Sequence, residues 1–234
     1  MVVYERRAST GGDIVGEWDD ALSWIAHPHE EGKRASHALK TDEEVWLVDP
    51  LDMPGLTERI DELGSVVGVL VLSCWHARDA GPLARQYDVS VHIPEWMGRV
   101  ASQVAAPVER YTLTPGGHSD FRMLSCQPFP GWQEVFLYHE PSMTLVVPDS
   151  IGATAYNRIA DEQAGLELFR RLQPPRELRG LQPERLLFGH GPPIDDNAAR
   201  TLRKALDNGR GSFPRAFRKH GVDSIRMFIE AVRE

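Results

Sequence analysis

The sequence predicts an α/β protein, and three observations predict it. Apolar strand-like runs alternate with amphipathic helical stretches through the first half of the chain, the pattern of a largely parallel sheet. A block of short strands broken by Pro and Gly turns follows in the middle. Strands and helices then recur as a second set, with no linker-like tract between. Residues 1–234 are therefore expected to form one domain.

Residues 1–40 are polar and weakly periodic. Trp18, Leu22 and Ile25 of GEWDDALSWIAH share a face at helical spacing, which predicts a short amphipathic helix. HPHEEGKR is a loop by composition, and EVWLVDP is a strand stopped by an Asp-Pro turn. In MPGLTERIDELG, Leu56, Ile60 and Leu63 mark a helical face, with Pro54 suited to its first turn and Gly64 to its C-cap. SVVGVLVL is apolar throughout, as a strand covered on both faces must be. A short helix around PLARQY and the strand VSVHI complete a β-α-β-α-β order.

The middle block, FRMLSCQPFPGWQEVFLYHEPSMTLVVPDS, gives successive strands. Phe136 and Tyr138 alternate with Val135 and Leu137, and HEPSM is a hairpin connector. ADEQAGLELFRRLQ is predicted helical through Leu166, Phe169 and Leu172. ERLLFGHGPP is predicted as a strand ending in a Gly-His-Gly turn. DDNAARTLRKALDNG is predicted as a helix capped by Asp195 or Asp196, with Gly209 beyond its end. Residues 209–234 form a helical tail with Ile225, Phe228, Ile229 and Val232 on one face.

Composition narrows the functions. The 234 residues carry a formal net charge of −8, which disfavours nucleic acid or an anionic membrane as a partner. The two cysteines form no CxxC pair and no disulfide framework, and a reduced cytoplasmic setting is the simplest expectation. The N-terminus shows no long apolar signal-like region, and no apolar run approaches the roughly 20 residues of a membrane helix. Phosphate-binding glycine loops and a Gly-x-Ser-x-Gly elbow are absent from the sequence.

Five motifs in order carry a resemblance. SHALKTDEEVWLVDP, VLVLSCWHARDAG, QPFPGWQEVFLY, TLVVPDS and LLFGHGPPI resemble the successive motifs of the metallo-β-lactamase superfamily, over roughly residues 36–208. The resemblance implies an αβ/βα four-layer sandwich, with the ends of VLVLS, TLVVP and ERLLF meeting at one edge. It also implies a site for up to two metal ions, usually zinc, built from Thr-His-x-His-x-Asp-His-x-Gly and later motifs.

The departures define what can remain of that site. In a gapless register Cys74 stands for the first His and His76 keeps the second. Arg78 replaces the Asp and Asp79 the last His, Trp132 replaces the third-motif His, and Asp149 and His190 match. An alternative register slides Asp79 onto the motif Asp and loses every His. An indole offers only a donor, and a guanidinium has no lone pair to give, so Trp132 and Arg78 cannot bind a cation. Cys74, His76, Asp149 and His190 are left as candidate ligands for one metal, and His76, Asp149 and His190 as candidate catalytic residues. Trp75, Arg78, Asp79 and Trp132 are expected to line the site, with an Arg78 salt bridge to Asp149 or Asp79 replacing the lost ion.

Each residue also has an ordinary reading. Asp149 suits an Asx-turn, His190 a backbone-bonded turn, Cys74 a small buried residue, and the two tryptophans packing. His118 in GGHSD is a candidate outside the motifs. The reading favoured on sequence is a degenerate site with no resident metal and a binding or regulatory role toward a small molecule or protein. The alternatives are a hydrolase of esters, thioesters or similar bonds with one remodelled zinc or other divalent metal site, and metal-free acid–base chemistry.

Overall fold

The apolar runs pair into two main sheets. In the computed structural model, which describes residues 2–112, 114–117 and 120–232, the first sheet holds seven strands side by side in chain order. They are β1 (Asp13–Trp18), β2 (Ala21–Ile25), β3 (Ala35–Thr41), β4 (Glu44–Val48), β5 (Ser65–Leu70), β6 (Val91–Pro94) and β7 (Val108–Tyr111). Pairing is antiparallel from β1 to β4 and parallel from β4 to β7. Helices α1 (Leu56–Leu63), α2 (Ala80–Gln86) and α3 (Gly98–Ala101) make the crossovers that parallel strands require.

The second sheet has the order β13-β10-β9-β8, from β8 (Phe121–Phe129), β9 (Trp132–His139), β10 (Thr144–Val147) and β13 (Arg185–Phe188). Its strands show the period of two plainly. Val135, Leu137, Val146 and Leu187 face the core shared with the first sheet. Phe136, Tyr138, Leu145, Val147, Leu186 and Phe188 face a second core under helix α4 (Ala198–Val232), which contributes Leu202 and Leu206. His37 ties the sheets together, its Nε2 donating to the Phe188 carbonyl at 3.0 Å while Ser23 Oγ donates to Nδ1. Burial pushes this imidazole down to about 4, so it packs neutral.

Several sequence expectations change. Residues 18–25 do not form a helix but the β1–β2 hairpin. All of β2 is buried and pairs with β3 over five residues, and that sheet contact overrides the local helical spacing. Helix α1 starts at Leu56, so Pro54 lies in the turn before it, while Gly64 does cap its end.

The stretch ADEQAGLELFRRLQ is also not a helix. Its Gly165–Leu166 segment, β12, pairs with β11 (Ile151–Gly152), and a single 3-10 turn follows at Phe169–Arg171. Gly165 permits this, because a Cβ there would meet the Asn157 carbonyl oxygen at 2.2 Å. Arg171 then locks the loop through Glu162.

Helix α4 runs through Gly209 instead of ending there. Gly209 serves packing, since a Cβ would meet Leu166 at 2.6 Å. The chain enters α4 through Asn197 at φ +57°, and Asp195 accepts from Trp18 Nε1 instead of capping. Ile225 and Ile229 are exposed on α4. The side chains of Phe228 and Val232, and His118 altogether, lie outside the described residues. No helix among the described residues is long and apolar enough to cross a membrane.

Candidate metal centre

Three segments that follow strand ends converge at one edge of the two sheets. His76 comes after β5, Asp149 after β10 and His190 after β13, and one ligand atom from each lies within 4.8 Å of the others. His76 Nε2 is 3.2 Å from Asp149 Oδ1, and His190 Nε2 is 3.4 Å from the same oxygen. The parallel β10–β13 pair sets Asp149 and His190 side by side. Gly189 lets β13 close onto the site, because a Cβ there would meet the Pro148 carbonyl oxygen at 2.2 Å and the His76 ring at 2.9 Å. Gly191 adopts φ +98°, which completes the turn that presents His190.

Both imidazoles are oriented from behind. His76 Nδ1 donates to Asp49 Oδ2 at 2.7 Å, and His190 Nδ1 donates to the Gly32 carbonyl at 2.8 Å. A carbonyl can only accept, and so can an ionised carboxylate, so each Nδ1 carries the hydrogen. In the neutral tautomer each Nε2 then presents its lone pair toward Asp149. Asp49 itself is buried, and its Oδ1 accepts the Leu72 N–H at 2.8 Å.

Asp49 was legible in sequence only as the stop of a strand. Its φ of +46° is the left-handed turn that an aspartate tolerates, and the Asp-Pro pair after β4 was the one available signal.

Burial and Arg78 draw the His76 imidazole down, but Asp149 and Asp49 together raise it to about 9. Burial raises Asp149, yet the charge on His76 and hydrogen bonds from His190 and His76 hold it well below the usual carboxylate range. Its Oδ2 is buried with no hydrogen-bond partner among the described residues. Behind it, Glu134 is fully buried and its Oε2 accepts the N–H groups of Asp149 and Ser150 at 3.2 and 3.1 Å. Ser150 Oγ donates to Glu134 Oε1 and accepts from Arg170 Nε at 2.8 Å. Burial, reinforced by Asp149, pushes Glu134 up to about 7. Nothing local in the sequence marks Glu134, Ser150 or Arg170 as supports of this site.

The remaining candidates are placed around this group. Cys74 is buried but stands outside the three-ligand cluster. Its sulfur contacts the Gly131 carbonyl and the Gln133 N–H, both at 3.4 Å, and burial pushes the thiol up to about 11. Trp75 and Trp132 pack ring to ring at 5.2 Å and wall a cavity of about 70 Å³. Asp149, His190, Tyr4, Tyr156 and Glu167 also line it, and burial pushes Glu167 up to about 7.

Arg78 departs from expectation. Among the described residues its guanidinium bonds no carboxylate, although Asp49 and Asp149 lie close enough to act on its charge. Nη1 donates to the Ala35 and Asp49 carbonyls at 2.6 and 2.8 Å, and Nη2 to Gly189 O at 3.1 Å, with His76 Nε2 at 3.3 Å. Backbone oxygens offer a planar fork better geometry here than a carboxylate already occupied by two imidazoles. Asp79 turns away and accepts the Asp52 N–H at 2.9 Å.

The donor set is one that a single divalent cation fits. Two imidazole nitrogens and a carboxylate with an orphaned buried oxygen suit a mononuclear site, and the nearby Arg78 and Trp132 side chains offer no lone pair to a further ion.

No protein-family model matches the sequence, and no curated protein matches it. Solved structures do. A metallo-β-lactamase from Hirschia baltica superposes with a TM-score of 0.60 at 9% identity, over 86% of this chain and 98% of that one. The DIM-1 metallo-β-lactamase gives 0.57 at 11%, over 86% and 99%. FIM-1 from Pseudomonas aeruginosa, in its mono-zinc form, gives 0.53 at 13%, over 86% and 99%. Identities this low carry the architecture and nothing finer, and on that ground the chain has the metallo-β-lactamase fold.

Proposed function

We propose that this protein hydrolyses an ester, thioester or similar bond of a small molecule, using one divalent cation held by His76, Asp149 and His190. The observation that carries the reading is the pair of second-layer contacts. The Asp49 carboxylate and the Gly32 carbonyl each take the Nδ1–H of one histidine, which leaves both Nε2 atoms for a ligand. Histidines that bind metal are held in this way, and nothing in simple packing requires it of two converging imidazoles. A cation at this centre would supply Lewis acidity and make a water molecule acidic enough to attack near neutral pH.

The chain's own groups divide the remaining work. Asp49 fixes the tautomer of His76. Glu134 braces the Asp149–Ser150 turn through two backbone N–H groups. Asp149 faces the cavity and is placed to orient water there, and Glu167 on the same wall can give or take a proton. Trp75 and Trp132 give the cavity an apolar wall.

A second reading has its own observation. His76 Nε2 lies 3.2 Å from Asp149 Oδ1, and Asp149 and Asp49 raise the imidazole to about 9, so a proton has a competing claim on that ligand atom. A protonated His76 paired with Asp149 would make a metal-free site, suited to binding or regulation. Elemental analysis after zinc loading and gel filtration separates the two, alongside a panel of ester and thioester substrates. About one metal per chain, lost in His190→Ala together with hydrolysis, is expected. Less than a tenth of an equivalent and no turnover would leave the metal-free reading standing.

A further inference from the structure

A second pocket opens on the other side of Trp75. Trp75 lines both spaces, and Arg78, which touches His76 Nε2, also lines the second. The second pocket holds about 480 Å³ against about 70 Å³ for the cavity at the metal centre. That is the size of a small-molecule site, while the cavity has room only for a reacting group.

The walls of this pocket are unusual for this chain. Arg6, Arg7, Arg34 and Arg78 line it together with His27, on a protein whose formal net charge is −8. Two carboxylates share the lining, and both accept backbone N–H groups. Glu5 Oε1 accepts the N–H groups of Arg6 and Arg7 at 3.0 and 3.2 Å, and Asp79 Oδ2 accepts that of Asp52. Arg34 is paired with Glu30 at 2.9 Å. Arg78 donates to carbonyl oxygens, and Asp49, Asp149 and Glu30 lie near enough to offset part of its charge, which leaves Arg7 as the pocket's clearest available cation. The Arg7 side chain is exposed and has no hydrogen bond or ion pair among the described residues. Cations gathered in a concave site repel one another unless an anion joins them, and a guanidinium fork matches the oxygens of phosphate or carboxylate.

We propose that this pocket binds an oxyanion group, phosphate or carboxylate, carried by the substrate whose reactive bond lies beyond Trp75. The substrate role rests on the hydrolase reading above; anion binding itself does not. The segment Tyr4–Ala8 serves both spaces, with Tyr4 against His190 and Arg6 and Arg7 in the basic pocket.

The test is calorimetric titration of the intact protein at low salt with inorganic phosphate and, separately, acetate. Wild type should bind at least one of them at millimolar concentration. Arg7→Ala should weaken that binding about tenfold, as the loss of one charge-assisted contact does, and Arg7→Glu should abolish it. His190→Ala should leave it in place. Preference for phosphate or for acetate then names the group, and either preference supports the pocket. No binding of either below about 10 mM overturns the proposal. So does retention in Arg7→Glu with loss in His190→Ala, which would put the anion at the metal centre. Binding is read without turnover, so a failure of the hydrolase reading leaves this result intact and separately interpretable.

Discussion

Arg78→Ala tests the geometry of the site edge most directly. The guanidinium joins three chain segments, since its acceptors are the Ala35 carbonyl of β3, the Asp49 carbonyl after β4 and the Gly189 carbonyl after β13. Hydrogen bonds from a charged donor contribute about 1.5–3 kcal/mol each. Three such bonds would sum to more than is lost, because Arg78 borders an open pocket from which water can rehydrate the freed carbonyls. At the lower end three bonds give about 4.5 kcal/mol, and rehydration of the freed carbonyls brings the expected loss to about 3–4 kcal/mol. The residue's φ of +40° is retained by alanine, so no strain relief offsets the loss.

Urea unfolding followed by tryptophan fluorescence reads the change as a lower midpoint with an unchanged slope. Arg78→Lys should recover less than half, because an ammonium cannot span three carbonyls in a plane. Adding Asp149→Asn to Arg78→Ala should give little rescue, since no carboxylate is bonded to the guanidinium. A loss within about 0.5 kcal/mol would refute the argument and make Arg78 an ordinary surface residue.

Other outcomes follow from the same contacts. His76 is raised above its ordinary value when folded, so its contribution is full below about pH 6.5 and is lost as pH rises through about 9. Metal-free protein should therefore lose stability between pH 7 and 9 in urea titrations, and Asp149→Asn should flatten that slope. Asp49→Asn removes the acceptor that holds the His76 tautomer and should weaken zinc binding about 10- to 100-fold in competition with a chromophoric chelator. Cys74→Ser should leave metal stoichiometry unchanged, because the thiol faces the Gly131 carbonyl and the Gln133 N–H. A fall in metal content in that variant would mean the sulfur turns into the site when loaded.

Much of the second sheet was legible without a structure. Val135 to Tyr138 must alternate between two apolar cores, and a period of two has no competing explanation in a run flanked by turn residues. The three candidate ligands were legible for a related reason. Each follows an apolar strand, and segments after the ends of strands in one sandwich edge are brought together by the layer packing itself. The hairpin at residues 13–25 was not legible, because Trp18, Leu22 and Ile25 satisfy a helical spacing, and only pairing with β3 decides against it. Nor was the non-helical path of residues 160–173, which depends on Gly165 meeting a carbonyl eight residues upstream.

The sequence by itself limited which of the candidate side chains can bind a cation: two imidazoles, a carboxylate and the Cys74 thiol can, while a guanidinium and an indole cannot. That follows from lone pairs and needs no coordinates. Tertiary structure alone decided where the supporting groups go. Asp49 stands 27 positions before His76, and Gly32 158 before His190, and nothing local announces either partner. The same holds for Arg78, whose acceptors are backbone oxygens on three separated segments. Backbone carbonyls are identical at every residue, so which of them a side chain meets is fixed only when the strands have packed.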